Sequence, residues 1–596
     1  MLGPFKKIWQ EYLHLYHSVT YVRMLVLGVL VGIFAGLIAV LFRCGLDFSQ
    51  EFIQSDLAGL GAAHGGEAGE YRPWVIPVAL VAVAFITGWL VNKFLPESIH
   101  GVTDGTDAMI KAFHQNKGQI KPKAPIIKGV TSIMTIAAGG SAGQEGPVSQ
   151  LGAGLGCWFA NKFGLSTKER RILMLTGAAG GLGAIFLAPL GGAMTAIEVI
   201  YKEDFESEAI VSAVTSSVVA YSIFFMAFGS KPMFDIPEFH FNDARELIFY
   251  AVLSCACALA GWIYVTCFRF LKYSVFERMR QRVGIMWAMV AGALIMGIYG
   301  MFYPQVLSSG HHGLEQAITG HLPVLTMLVL IFGKTLATSL TLGSGLSGGM
   351  FAPALFVGGM TGGVVGFTAN SFYPNIVSQP GGYVLVGMAT FFAGVANAPI
   401  GPLIMVCELS KGYGLLAPLM LSGAICVVIS RKTSLYENQV ENKFESPAHI
   451  VDSTVNILEN LQVRDFYQRG RVTILEESIT LKGLTNIITG TNEFFFPVKN
   501  VAGEISGILS INDVRNLLYE ESLFDLVVVG DLARKGVTLQ EDEDLYTALV
   551  KFVDSDLGQI PVVQEDNPNE ILGLINRADV FRAYTEHLRT IHENEK

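Results

Sequence analysis

Charged side chains are scarce: Asp, Glu, Lys and Arg make up 15% of the 596 residues, against 51% hydrophobic residues. A soluble chain of this length needs far more charge to cover its surface, so that class is excluded. From Thr335 to Cys407 there is no Asp, Glu, Lys or Arg at all. Cysteine is sparse too. All seven (Cys44, Cys157, Cys255, Cys257, Cys267, Cys407, Cys426) lie in or beside apolar segments without zinc-like spacing, and no metal site is expected. The H-E-x-x-H motif of an intramembrane metalloprotease is missing, and the adjacent His311 and His312 lack a partner acid at helical spacing. A cleavable-signal pattern is missing as well. Lys6, Lys7 and Glu11 precede the first apolar run, so residues 1–20 are expected to form a cytosolic or interfacial amphipathic helix.

What is present is long apolar sequence. Met24–Phe42, Trp74–Val91 and Tyr250–Val265 are runs of the kind a bilayer core demands of a helix. Charge is also unevenly placed. Residues 437–596 hold 28 Asp and Glu against 14 Lys and Arg, a net of −14, which leaves residues 1–436 at +4. Two different objects are joined near residue 437: a membrane domain over 21–436 and a soluble tail after a linker at 437–457. The acidic tail offers no basic cluster, and no nucleic-acid partner is expected. Lys111, Lys117, Lys121, Lys123 and Lys128 form an acid-free basic stretch, a positive-inside signal for a cytosolic loop.

The membrane part repeats itself. Ala188-Pro-Leu-Gly191 leads to Glu198, and Ala398-Pro-Ile-Gly401 leads to Glu408, 210 residues later. Gly143-Gln-Glu-Gly-Pro147 matches Gly349-Met-Phe-Ala-Pro353 in its glycine and proline at an offset of 206, which Lys128 and Lys334 share. Two signatures in one order imply a duplication, with repeats over about 21–230 and 245–436. Gly- and Pro-interrupted apolar segments at matching places are the mark of a transporter fold that binds substrate at the repeat interface.

The glycine clusters break a helix, and a new helix starts near each proline. Its free N–H groups and dipole can hold an anion without a full positive charge. Glu145, an acid among small apolar residues, is a functional candidate by default. Its carboxylate can occupy the anion site as a tethered competitor until a proton releases it.

These motifs resemble the CLC family of chloride channels and transporters over about residues 20–436. Gly143–Pro147 looks like its G-(K/R)-E-G-P motif and Gly349–Pro353 like its G-x-F-x-P motif. The resemblance implies an all-α polytopic fold of two inverted repeats with broken helices, in a homodimer with one anion pathway per subunit. It implies chloride transport, with Glu145 as the gating glutamate. The anion would be held by Gly143, Gln144, Gly146, Gly349, Met350, Phe351 and the Tyr436 hydroxyl. No cofactor is expected beyond chloride as substrate, with protons as the coupled ion in exchanging members. The size suits a microbial protein of the bacterial inner membrane with a cytosolic tail.

Three positions depart from the family pattern. The G-S-G-I-P segment is represented by Ile99-His-Gly-Val-Thr103, which puts His100 and Gly101 at the inner gate and leaves chloride, fluoride and nitrate all open as substrates. Gln144 replaces a basic residue. Val199 follows Glu198 where exchangers usually carry a second glutamate as the internal proton site. Passive channel and proton-coupled exchanger therefore stand level, the latter needing water or another acid such as Glu203 or Asp204 in place of Val199 on a proton path beside Glu198.

The tail carries a second duplication. Phe496-Pro-Val and Gly507–Val514 are echoed by Ile560-Pro-Val and Gly573–Val580. This resembles a pair of α/β CBS domains, at 458–522 and 528–592. By that resemblance Ser510, Asp513 and Asp579 are candidates for adenine-nucleotide binding, with a purely structural pairing module as the alternative.

Overall fold

Apolar runs punctuated by glycine and proline become helices that stop abruptly. The computed structural model describes residues 3–59, 71–95, 104–229, 237–410, 412–449, 458 and 461–594, apart from 471, 492, 516, 518, 519, 565, 566 and 568. It divides into two compact units, Met1–Ala448 and His449–Lys596.

The first unit is helical, and its halves repeat one order of elements. The first half contains α1 (Gly3–Gln50), α2 (Val75–Phe94), α3 (Gly105–His114), α4 (Lys123–Ala137), α5 (Glu145–Lys162), α6 (Thr167–Phe186), α7 (Pro189–Glu198) and α8 (Ile210–Phe228). The second contains α9 (Glu246–Arg269), α10 (Glu277–Val283), α11 (Ile285–Phe302), α12 (His311–Ile318), α13 (Val324–Gly343), α14 (Phe351–Phe372), α15 (Pro380–Ala396), α16 (Ile400–Leu409) and α17 (Leu416–Ser430). Among the described residues seven spans are long and apolar enough to cross a bilayer, and α15, α16 and α17 are shorter apolar helices. This is a multi-pass membrane protein. The segment expected as a separate surface helix over 1–20 instead runs without a break into the first span as part of α1.

The breaks occur at matched positions. Gly139 (φ 98°) and Gly345 (φ 109°), 206 residues apart, take left-handed backbone just after α4 and α13, a conformation closed to most side chains. Leu187 (φ 55°) and Asn397 (φ 51°), 210 residues apart, end α6 and α15 in the same way. For Leu187 that conformation costs about 1–2 kcal/mol. It persists because the Ala-Pro step that follows must start a new helix in a fixed direction. Close approach is matched as well. A Cβ at Gly152 would fall on the Gly177 carbonyl, and one at Gly358 on the Gly387 carbonyl, so α5–α6 and α14–α15 pack backbone to backbone.

Residues 437–448, expected within a linker, belong to the first unit. Asn438 donates to Asp107 from its backbone (3.0 Å) and side chain (2.7 Å), and Lys272 donates to both Glu437 oxygens at 3.0 Å. The Gln439 amide donates to the carbonyls of Val199, Tyr201 and Ala396. The strap therefore clamps the chain on the C-terminal side of Tyr436.

The second unit holds β1 (Gln468–Arg469), β2 (Leu475–Glu476), β3 (Phe495–Lys499), β4 (Ile505–Ser510), β5 (Arg534–Lys535), β6 (Leu539–Gln540), β7 (Gln559–Val563) and β8 (Ile571–Asn576). They form two four-stranded sheets, ordered β2-β3-β4-β5 and β1-β8-β7-β6. Each has one parallel pair, one antiparallel hairpin with a register shift at the matching place, and an antiparallel edge strand. The edge strands are exchanged: β1 precedes the first copy but joins the second copy's sheet, and β5 does the reverse. Each copy thus covers an edge of the other, and Phe496, Val498, Leu509 and Phe552, Ile560, Val562 fill the two cores.

Candidate functional site

The two glycine turns meet. The Gly143 amide donates to the Gly349 carbonyl at 2.7 Å and the Gly349 amide returns the bond to Gly143 at 2.8 Å, an isolated antiparallel bridge. This reciprocity is that of a local two-fold axis relating the halves. It brings the first turns of α5 and α14 to one point, where free N–H groups and both helix dipoles present positive potential. Gln144 and Met350 occupy the residue before each helix.

Glu145 is fully buried at this point. Neither carboxylate oxygen has a hydrogen-bond partner. The carboxylate lies against Gly143, where a Cβ would strike Oε2 and would also stand 3.0 Å from the Ala352 amide nitrogen. Gln144, 2% exposed, also has no partner for either side-chain atom. Phe351 packs between the tilted rings of Phe186 (4.8 Å) and Phe392 (3.9 Å), which fixes the start of α14.

His100 and Gly101 lie outside the described residues. The residue brought against Gly146 and Gly349 is Asp104, which the motif register missed. A Cβ on Gly146 would meet Asp104 Oδ1 and stand 3.0 Å from the Gly349 Cα. Asp104 is buried with both oxygens unpartnered. A signal existed: an acid directly before a helix-starting glycine, between two apolar spans. The Tyr436 hydroxyl is buried and unpartnered within electrostatic reach of Asp104 and Tyr264. Tyr264, on α9, has an equally unpartnered buried hydroxyl and carries no motif that would flag it.

A cavity of about 1060 Å³ opens beside these elements. Lys93, Lys111, Lys121, Lys128 and Lys272 line it, with Glu437 as the one acid among the described lining residues. The wall also includes Ala108 and Gln150, which border the first turn of α3. A concave surface with this surplus of lysine concentrates anions, and it absorbs part of the basic stretch seen in the sequence.

Glu198 and Glu408 have reciprocal tasks. Glu198 accepts from the amides of Ile400 (2.9 Å) and Gly401 (2.7 Å) at the start of α16. Glu408 accepts from Leu190 (3.1 Å) and Gly191 (2.8 Å) at the start of α7. Each half caps the other. Glu198→Gln should turn an amide N–H toward amide N–H groups and destabilise the fold by about 1–3 kcal/mol, as should Glu408→Gln. The expected result is a melting temperature several degrees lower for either variant in detergent; unchanged melting would remove the capping role. Val199 is buried and apolar, and Glu203 pairs with Arg431 at 2.5 Å on the rim of a second cavity that Glu198 also lines.

In the tail the three nucleotide candidates are already bonded. Ser510 accepts from the Asn512 amide (3.2 Å), Asp513 pairs with Arg534 (2.6 Å), and Asp579 accepts from the Asn576 backbone (3.2 Å) and side chain (2.7 Å). The Asp513 carboxylate raises the Arg534 guanidinium above its usual range.

The profile of the CBS domain matches residues 529–586. The H(+)/Cl(-) exchange transporter ClcA of Vibrio vulnificus is 28% identical over 434 residues, covering 70% of this chain and 90% of that protein. Among solved structures, a slow cyanobacterial Cl-/H+ antiporter shares the fold at TM-score 0.60 and 22% identity, over 72% of this chain and 97% of its own. A eukaryotic CLC transporter shares it at TM-score 0.56 and 19% identity, over 94% of this chain and 98% of its own. The profile described as voltage gated chloride channel matches residues 78–431, more than half of the sequence. On that match the chain belongs to the voltage-gated chloride channel family.

Proposed function

We propose that this chain moves chloride across a bilayer in exchange for protons, along a pathway whose anion seat is the Gly143–Gly349 junction and whose gate is Glu145. The observation that carries the reading is the reciprocal glycine bridge, which turns two helix starts toward one buried point already held by a carboxylate. A tethered anion at a site built from amides marks the place a free anion takes. Gly143, Gln144, Gly146, Gly349, Met350 and Phe351 supply the seat, and Tyr436 offers its hydroxyl. Backbone dipoles in place of an Arg or Lys suit a site that must release its ion. The lysine-lined cavity supplies the anion from the cytosolic face.

The subunits act as a homodimer in a bacterial inner membrane, with the tail pair in the cytosol. The relatives named as exchangers and antiporters favour coupling to protons. One observation favours the passive reading: Val199, buried and apolar, cannot relay a proton, and Glu198 is committed to capping α16. A similar fold is named a fluoride/proton antiporter, so fluoride is compared with chloride and nitrate in the same assay.

Flux from reconstituted liposomes decides. Uphill proton movement driven by a chloride gradient is the expected result. Chloride efflux with no proton movement would establish the passive reading, and no flux of chloride, fluoride or nitrate would sink the proposal. The tail is proposed to bind an adenine nucleotide through Ser510, Asp513 and Asp579, with Asp513 leaving Arg534 to do so. ATP titrated calorimetrically into the full chain should give saturating heat that Asp513→Ala abolishes; no heat up to millimolar ATP would leave the pair a structural module.

A further inference from the structure

Among the described residues around the anion seat, the acids outside the gate are engaged: Asp107 by Asn438, Glu437 by Lys272, Glu198 and Glu408 by helix starts. Asp104 is the exception. It stands at the residue before α3, where an aspartate ordinarily accepts from the first free amides of its own helix. It makes no such bond; only its main-chain carbonyl serves α3, through the Ala108 amide at 3.1 Å. Its side chain turns the other way, onto the Cα of Gly146 and toward Gly349. Position 146 must be glycine for the carboxylate to lie there. Neither buried oxygen has a partner of full hydrogen-bond geometry; the amides of Met350 and Gly105 face them, and Lys128 on α4 lies within electrostatic reach.

Burying a carboxylate is costly even with Lys128 in electrostatic reach, and such a residue is retained for a task. Capping is not that task. A bound cation does not fit either, because helix-start amides repel positive charge. The remaining fit is an anion's own place.

We propose that Asp104 is a second tethered anion, which holds the seat from the Gly146 side while Glu145 holds it from the Gly143 side. The proposal rests on the chloride reading above. A proton taken from cavity water onto an Asp104 oxygen leaves a neutral acid that no longer competes for the Met350 amide, and chloride takes its place. When chloride leaves, the proton returns to water and the block is restored. The charged and titratable groups facing Asp104 are Asp107 on α3, Lys128 on α4, Glu145 on α5, Tyr264 on α9 and Tyr436 before the strap. With Glu145 it makes a pathway closed by two acids in series.

Chloride efflux from liposomes as a function of pH tests this. With two acids that must both be neutral, efflux on the alkaline limb falls about a hundredfold per pH unit; with one, about tenfold. The parent should show the steeper limb, and Asp104→Asn the shallower one, with efflux at least about tenfold faster near neutrality. Asp104→Ser provides the same reading should the asparagine variant aggregate. Parent-like slope and rate in either folded variant would overturn the proposal, as would aggregation of both, which would mark Asp104 as structural. A parent with no anion flux at any pH would instead defeat the chloride reading.

Discussion

Glu145→Gln is expected to abolish chloride-driven proton movement while chloride efflux continues, at least about tenfold faster than in the parent near neutral pH. The amide is nearly isosteric but carries no charge, so it cannot compete as an anion for the dipoles at the start of α14. Nor can it take up and release a proton. In the parent the carboxylate lies on Gly143 beside the Ala352 amide, and a free ion must displace it. In the variant the block from that side is permanently lifted. The pH response that remains is the single-proton limb set by Asp104, and the double variant Glu145→Gln with Asp104→Asn should be flat. Chloride-electrode recordings paired with a pH electrode read both quantities in one vesicle preparation. Persistent proton uptake in Glu145→Gln would place the proton step elsewhere.

Gly349→Ala should have the second large effect. A Cβ there would stand 2.9 Å from the Gly146 amide nitrogen and 3.1 Å from the Gly143 carbonyl oxygen. Both are main-chain atoms at crowded helix starts, with no flexible end to swing aside. Overpacking of this kind costs about 1–3 kcal/mol, and it falls on the bridge that aligns the two halves. Chloride efflux should drop at least about tenfold, because a seat made of amides loses its ion when those amides diverge. Gly423→Ala is the control: a Cβ at that glycine meets nothing within 4 Å. Gel-filtration profiles separate misfolding from a displaced seat. Parent-like efflux in a folded Gly349→Ala would show that the bridge does not set the seat.

Much of this was legible in the sequence because the repeat carries it. The 206-residue offset that pairs Gly143 with Gly349 in the chain also pairs them in space. The 210-residue offset between Glu198 and Glu408 returns as the exchange of caps. Asp104 was not legible. The motif register fell on His100, and the side chain of a residue before a short helix is aimed by tertiary contacts, which local pattern does not encode. Tyr264 escaped for a related reason: on an apolar helix a tyrosine reads as core until a buried, unpartnered hydroxyl is seen. The strap was misplaced because its polar residues read as linker. Their partners, Asp107, Lys272 and the Val199 carbonyl, lie more than 160 positions away.

The exchanged caps have a consequence for how the protein is made. The amides of Leu190 and Gly191 leave the ribosome 218 and 217 residues before Glu408, which is roughly 10–40 s at ordinary translation speed. Until then the opening turn of α7 lacks the acceptor that the finished fold gives its donors. The N-terminal half is thus an unfinished assembly until its complement is threaded in. Sealing of the α7 start waits for α16, and Tyr436 and the strap reach the pathway later still.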